Sequence, residues 1–492
     1  GYPADGKCVG TTMYFYCAVA TGDGSQELGV EACESGETCD DSYGFAWCKP
    51  KPGKCVAGQQ ECSPSDNDKA RTCDKNGDWQ EETCLGCAPT YLDNQVACPG
   101  TISLAPKTIK ITYDYVQPKA GYKGFNTSAP LKVAPIYAMV LLFRYTADFK
   151  SGSLLDANTV TSDGSVQLDF PTQPSKYDVL VLAAVGYNSK DNSASFGVME
   201  PDVSDGMQQV SPKNKLAGKP HTWAKSVAGL GSDGTWHISQ AQGSYALQAF
   251  DAVRYSWINA SYNLWDKAGK TIVVWVRDGT DFSCGACVAP WPSGAKLMGK
   301  NAETQMFLSS KGKKALSGAV MHHEMGHWAM ASFGTSPNEG GTHYATTKVP
   351  PGMAWSEGWA TFFSSMARTS AVYYSYGGNG MWWLDLSKIK YDDGSPLLPF
   401  SATGKLVQFM DDNRVSSALW NAADTVSEPF KSAKNQLFWK ALSSPQMNGD
   451  TYTRPYYRQV WGSVTPNTGG VYNATYADLK STYTQATTFP SY

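Results

Sequence analysis

Apolar positions along this chain follow two rhythms. Between about 100 and 205, Ile109, Ile111, Tyr113 and Tyr115 alternate with polar neighbours, as do Val166, Leu168 and Phe170, while Tyr137 to Arg144 and Val179 to Val185 run almost unbroken. A period of two marks a strand with one buried face, and a short continuous run marks a strand buried on both. Turn formers such as Ser162-Asp163-Gly164 separate these runs, so the stretch predicts an all-β sandwich. Residues 206–240, rich in Lys, Gly, Ser and Pro, predict a linker. Ser244 to Leu264 then predicts an amphipathic helix, Thr271 to Val276 a strand, and Gln305 to Leu308 a second short strand. The rhythm next changes to threes and fours. Leu316, Ala319, Val320, His323, Glu324, His327, Met330 and Ala331 share one stripe of a helix over about 315–332, with Ser317 as candidate cap and Gly334 as its stop. From about 353 the pattern predicts a mainly helical lobe, with helices near 353–369, 412–424, 428–443 and 453–461. The longest strongly apolar run, Ala134 to Phe143, is too short to cross a bilayer and predicts a buried strand, so no membrane span is expected.

Composition adds a third region. Eleven of the 13 cysteines precede residue 99, and the other two are Cys284 and Cys287. Neither Cys84-x-x-Cys87 nor Cys284-x-x-Cys287 has a partner C-x-x-C at finger-like spacing, so disulfides account for them better than a metal does. Such a scaffold belongs outside a reducing cytosol. The odd count before residue 99 predicts one bridge from this head to the later pair. Charged residues are sparse at 17%, a surface style common in secreted proteins, and a net charge of −3 without a basic run argues against a nucleic-acid partner. The resulting division is a cysteine-rich domain at 1–99, a β-sandwich at 100–205, a linker at 206–240 and a final domain at 241–492. A secreted, monomeric protein is expected. Asp66-Asn67-Asp68 lacks the full calcium-loop pattern and predicts a solvated turn, so calcium is not assigned.

The chemistry lies in the helical stripe. His323-Glu324-Met325-Gly326-His327 is an H-E-x-x-H pattern. Positions i and i+4 share a helix face, so both imidazoles can reach one metal ion, with the carboxylate of Glu324 beside them. Zinc suits two imidazoles and a third protein ligand, leaving one position for water, and the carboxylate can serve as general base. Two candidates for that third ligand lie downstream. Glu357, in Ser356-Glu357-Gly358-Trp359, falls in a helical stretch that Trp355, Trp359 and Phe362 can anchor. His343 lies beyond the slot used by three-histidine sites, which holds Phe333 here, and is the weaker candidate; its other role is a loop residue touching substrate. Met306 and Phe307, on the strand just before the motif, are candidates for binding an extended substrate by main-chain hydrogen bonds.

His323-Glu324-x-x-His327 followed by Glu357-Gly358-Trp359-Ala360 resembles the gluzincin zinc metallopeptidases, nearest their fungalysin and thermolysin-like branch. That resemblance spans roughly residues 242–445. It implies an α+β catalytic domain with a cleft between two lobes, zinc held by His323, His327 and Glu357, and Glu324 as base. The segment Asp412 to Asn421 resembles the family stretch that carries a histidine donor to the transition state; Arg414 stands at or near that place, and Tyr373, Tyr374, Tyr376, Tyr456 and Tyr457 remain as other donors. The family's acidic residue four positions after the glutamate ligand is replaced by Thr361, so another group must orient a histidine. The sandwich resembles transthyretin-like modules, and the head resembles cysteine-rich leader modules of secreted bacterial proteins. The expected activity is a secreted zinc endopeptidase acting on a protein or peptide. Two alternatives stand beside it: a glycoprotein-directed peptidase or aminopeptidase with the same metal, and an extracellular adhesin or glycan-binding protein whose metal fold is not catalytic.

Overall fold

The computed structural model describes most of residues 103–334 and 351–388, much of 60–83 and 412–432, and short strands elsewhere; 335–348 and everything from 436 lie outside the described residues, among others. Strands predominate, arranged in several sheets, and helices are few. Before residue 100 the described strands form small antiparallel sheets, such as Gln60–Cys62, Lys69–Cys73 and Trp79–Thr83 in one ribbon.

Two sheets face each other across the predicted sandwich. The first joins β1 (Leu104–Tyr115), β2 (Leu131–Val133) and β5 (Ser165–Pro171). The second begins with β3 (Ala138–Tyr145), β4 (Gly152–Thr159), β6 (Asp178–Asn188) and β7 (Ser193–Pro201). Alternate residues meet between them: Ile109, Ile111, Val166 and Leu168 from one side, Val140, Leu142, Leu180 and Leu182 from the other. That is why β1 and β5 alternate while β3 and β6 run apolar.

The linker reading of 206–240 is corrected. Thr222–Ser226 (β8) pairs with β6, and Thr235–Ile238 (β9) runs parallel to β1. Trp223, Trp236 and Ile238 bury into the core, so a polar composition there conceals strands with one apolar face. The second sheet also continues past that segment. β7 pairs in parallel with β10 (Ile272–Trp275), β10 in parallel with β12 (Thr304–Leu308), and β12 antiparallel with β11 (Ala286–Ala289), which ends the strand order. A single nine-stranded sheet thus spans the expected border at 205–241.

Against this sheet lie α1 (Tyr245–Ile258) and α2 (Gly318–Phe333), and α3 (Pro351–Ala367) packs on α2. The chain after 350 is less helical than its pattern implied. A hairpin of β13 (Val372–Gly377) and β14 (Gly380–Asp385) intervenes before α4 (Asp412–Ala422). Its strands are Tyr- and Trp-rich, a composition that packs well on a pleated surface. Residues 429–431 form a turn at the start of the helix expected at 428–443. Asn435 within that span is helical, and the rest of it, like the predicted helix at 453–461, lies outside the described residues. Among the described residues, no helix is long and apolar enough to cross a membrane.

Cys284 and Cys287 are disulfide-bonded to each other, which overturns the expected bridge from the head; the three-residue separation lets a single turn ahead of β11 close it. Cys73 is disulfide-bonded as well.

Candidate metal centre

The histidine helix begins after Ser317, whose hydroxyl donates to the carbonyl of Tyr374 instead of capping the helix, and ends at Gly334. Between the two histidines, Gly326 presents bare backbone to α3. A Cβ there would lie 2.7 Å from Ala360 Cα, closer than packing allows. On the far side of α3, a Cβ on Gly358 would stand 2.6 Å from the carbonyl oxygen of Asp412 at the start of α4. These two glycines let three helices approach closely. That approach carries Glu357 to the imidazoles.

Three ligand atoms converge. His323 Nε2 lies 3.1 Å from Glu357 Oε2, His327 Nε2 3.3 Å from the same oxygen, and the two Nε2 atoms 3.2 Å apart. Ligands of a tetrahedral zinc at about 2.0–2.1 Å stand about 3.3 Å from one another, so the triangle matches that ion. Among the described residues this is the group of histidine, cysteine and acidic side chains able to hold a metal.

The electrostatics agree with the geometry. Burial works against charge on both His327 and Glu357, but their mutual attraction outweighs it. His327 is pushed up to about 9 by Glu357 and Glu324, and Glu357 is held well below the usual carboxylate range by His327 and His323. A pocket that stabilises a proton this strongly also favours a cation in its place. Glu324 sits beside the triangle at 5% exposure, with Val288 N–H donating to it and Oε2 lacking a hydrogen-bond partner among the described residues. Burial, together with Glu357, raises its carboxyl to about 7.

Each imidazole is also backed on its other nitrogen. Thr361 Oγ1 is 3.1 Å from His323 Nδ1, and Ser356 Oγ is 3.3 Å from His327 Nδ1. The sequence marked Thr361 as a departure from an acidic pattern without revealing that it would touch the histidine itself, and Ser356 gave no signal. The neighbouring His322 turns away, its Nδ1 2.8 Å from Ser256 Oγ, and burial lowers it to about 3.

The substrate-binding expectation for Met306 and Phe307 is corrected. Both are buried, on opposite faces of β12, and β12 is paired along both edges by β10 and β11. An interior strand has no free main chain to offer. The strand beside Glu324 at the end of the order is β11, short and weakly apolar, which periodicity could not single out. Among the donor candidates, Tyr373 on β13 has its ring centroid 5.6 Å from that of His323, and burial first, then Glu324 and Glu357, raise its hydroxyl far above the usual tyrosine value. Tyr374 on the same strand packs away from the triangle, against Tyr122 and Phe125. Arg414 stands in α4, but its side chain lies outside the described residues, as do His343, Tyr456 and Tyr457.

No known family's sequence profile matches the chain, and no curated protein matches it.

Proposed function

We propose that this protein is a zinc-dependent peptidase in which His323, His327 and Glu357 hold the ion. The observation that carries this reading is the triangle of two Nε2 atoms and one Oε2, 3.1–3.3 Å on a side, with the buried carboxyl of Glu324 beside it. Zinc there would act as a Lewis acid on the scissile carbonyl and make a water nucleophilic near neutral pH. Glu324 accepts a proton from the attacking water and returns it to the leaving amine. Its raised carboxyl suits both halves of that exchange. Tyr373, held protonated by burial, donates to the carbonyl oxygen as negative charge gathers on it. An extended peptide adds to the outer edge of β11, which brings the bond to be cut alongside Glu324.

The disulfides at Cys73 and Cys284–Cys287 support action outside a reducing cytosol. The test is metal analysis of the purified chain together with cleavage of an unfolded protein such as casein. About one zinc per chain and cleavage that a chelator stops are expected. A chain that takes up no zinc and leaves casein intact would overturn the proposal.

A further inference from the structure

We propose that the hydroxyls of Ser356 and Thr361, in place of a carboxylate, fix the tautomer and aim of both metal-facing histidines, and that this neutral backing makes the bound ion readily exchangeable. The inference rests on the metal-centre reading above and extends it to how tightly the ion is kept.

A neutral imidazole carries one proton on one of two nitrogens. For the Nε2 lone pairs of His323 and His327 to face a cation, the proton must sit on Nδ1 and find an acceptor there. In both rings that acceptor is a hydroxyl oxygen: Thr361 Oγ1 at 3.1 Å and Ser356 Oγ at 3.3 Å. The hydroxyl of Ser356 in turn reaches Met330 Sδ at 4.0 Å, which leaves its oxygen lone pair for His327. Thr361 is 4% exposed and Ser356 7%, so water competes little for either contact.

All three functional groups come from one helix. Ser356 precedes Glu357 by one residue and Thr361 follows it by four, so α3 delivers a ligand and both backing groups in one register. A carboxylate behind a metal-bound histidine draws on its N–H and makes the ring a stronger ligand, and losing such a partner weakens metal affinity about 10–100-fold. A hydroxyl orients the ring while adding no charge. The ligand set therefore carries a single negative charge, from Glu357, and the Nδ1 partners found among the described residues add none.

The experiment is competition between the full chain and a zinc chelator of known affinity, alongside the visible spectrum of the cobalt-loaded protein. Thr361→Val, alike in shape but without the oxygen, should weaken zinc binding about 10–100-fold, and Ser356→Ala should do so less because its contact is longer. Thr361→Ser should recover most of the affinity. Thr361→Asp should hold zinc more tightly than the natural chain and shift the cobalt bands. Melting of the chelator-treated variants controls for folding, and the contrast of Ser with Val at position 361 keeps the oxygen as the single variable. Unchanged zinc affinity and cobalt spectrum in Thr361→Val, or no tighter binding in Thr361→Asp, would overturn the inference while leaving the metal centre standing. A natural chain that binds no zinc would overturn both.

Discussion

Two clusters in this molecule are built from the same kinds of side chain and differ in one respect. In the first, Thr112 and Asp114 on β1 face His237 on β9. Thr112 Oγ1 lies 3.0 Å from His237 Nδ1, His237 Nε2 2.9 Å from Asp114 Oδ1, and Asp114 Oδ2 accepts the Gln240 amide at 3.0 Å. Every donor there meets an acceptor. In the second cluster, hydroxyls again take the Nδ1 side of the histidines, but both Nε2 atoms and a carboxylate oxygen crowd one point. Two imidazole nitrogens 3.2 Å apart, both also facing a carboxylate oxygen, can share either a proton or a metal ion at that point. The first cluster is complete as a hydrogen-bonded staple. The second could hold a cation, as proposed above. Residue type alone distinguishes neither, and the direction of the second nitrogen distinguishes both.

The sharpest way to break this contrast is to remove a ligand. Glu357→Ala should abolish zinc uptake and casein cleavage, and chelation of the natural chain should do the same until zinc is restored, as metal analysis and a cleavage assay would show. Next in size, Glu324→Gln should keep its zinc and lower kcat by about 10²–10⁴-fold, the worth of a positioned general base; equal activity would remove Glu324 from the reaction. The same carboxyl gives a pH test. With burial and Glu357 holding it at about 7, the chelator-treated protein should show a protonated-carboxyl infrared band that fades as pH rises through about 7 and is missing in Glu324→Gln. Because the base must be ionised, activity should fall on the acid side, and a bound cation moves that limb below 7. Gly326→Ala should cost about 1–3 kcal/mol in urea unfolding, since its methyl meets α3 backbone, and should loosen zinc by drawing Glu357 off the imidazoles. The smallest effect is expected at the staple. His237→Ala should lower stability by about 1 kcal/mol and leave zinc content unchanged; a loss of zinc there would erase the distinction between the clusters.

What the sequence disclosed follows from how local each signal is. His323, Glu324 and His327 lie within two turns of one helix, so spacing alone placed them on a shared face. Glu357 was legible through its own helical context. The remainder depended on pairings between distant segments. Polar residues 206–240 conceal β8 and β9 because each pairs with a strand far earlier in the chain, from Ala183↔Thr222 for β8 to Lys110↔Thr235 for β9, and buries only one face. Met306 and Phe307 stood out as a strand just before the motif helix, yet that strand is enclosed on both edges, while the edge strand β11 is only four residues long. Ser356 and Thr361 are ordinary helix residues until α2 is laid against α3.

The sheet that crosses residue 205 carries a practical consequence for handling this chain. A fragment started at about 241 would lose β7, the parallel neighbour of β10, and the β1 carbonyl that receives the hydroxyl of Ser244 just ahead of α1. Its opened sheet would bare Ile272 and Val274 to water and offer a sticky border to other copies. Anyone wishing to prepare the histidine-bearing half by itself should begin no later than Leu104, and should expect shorter pieces to precipitate.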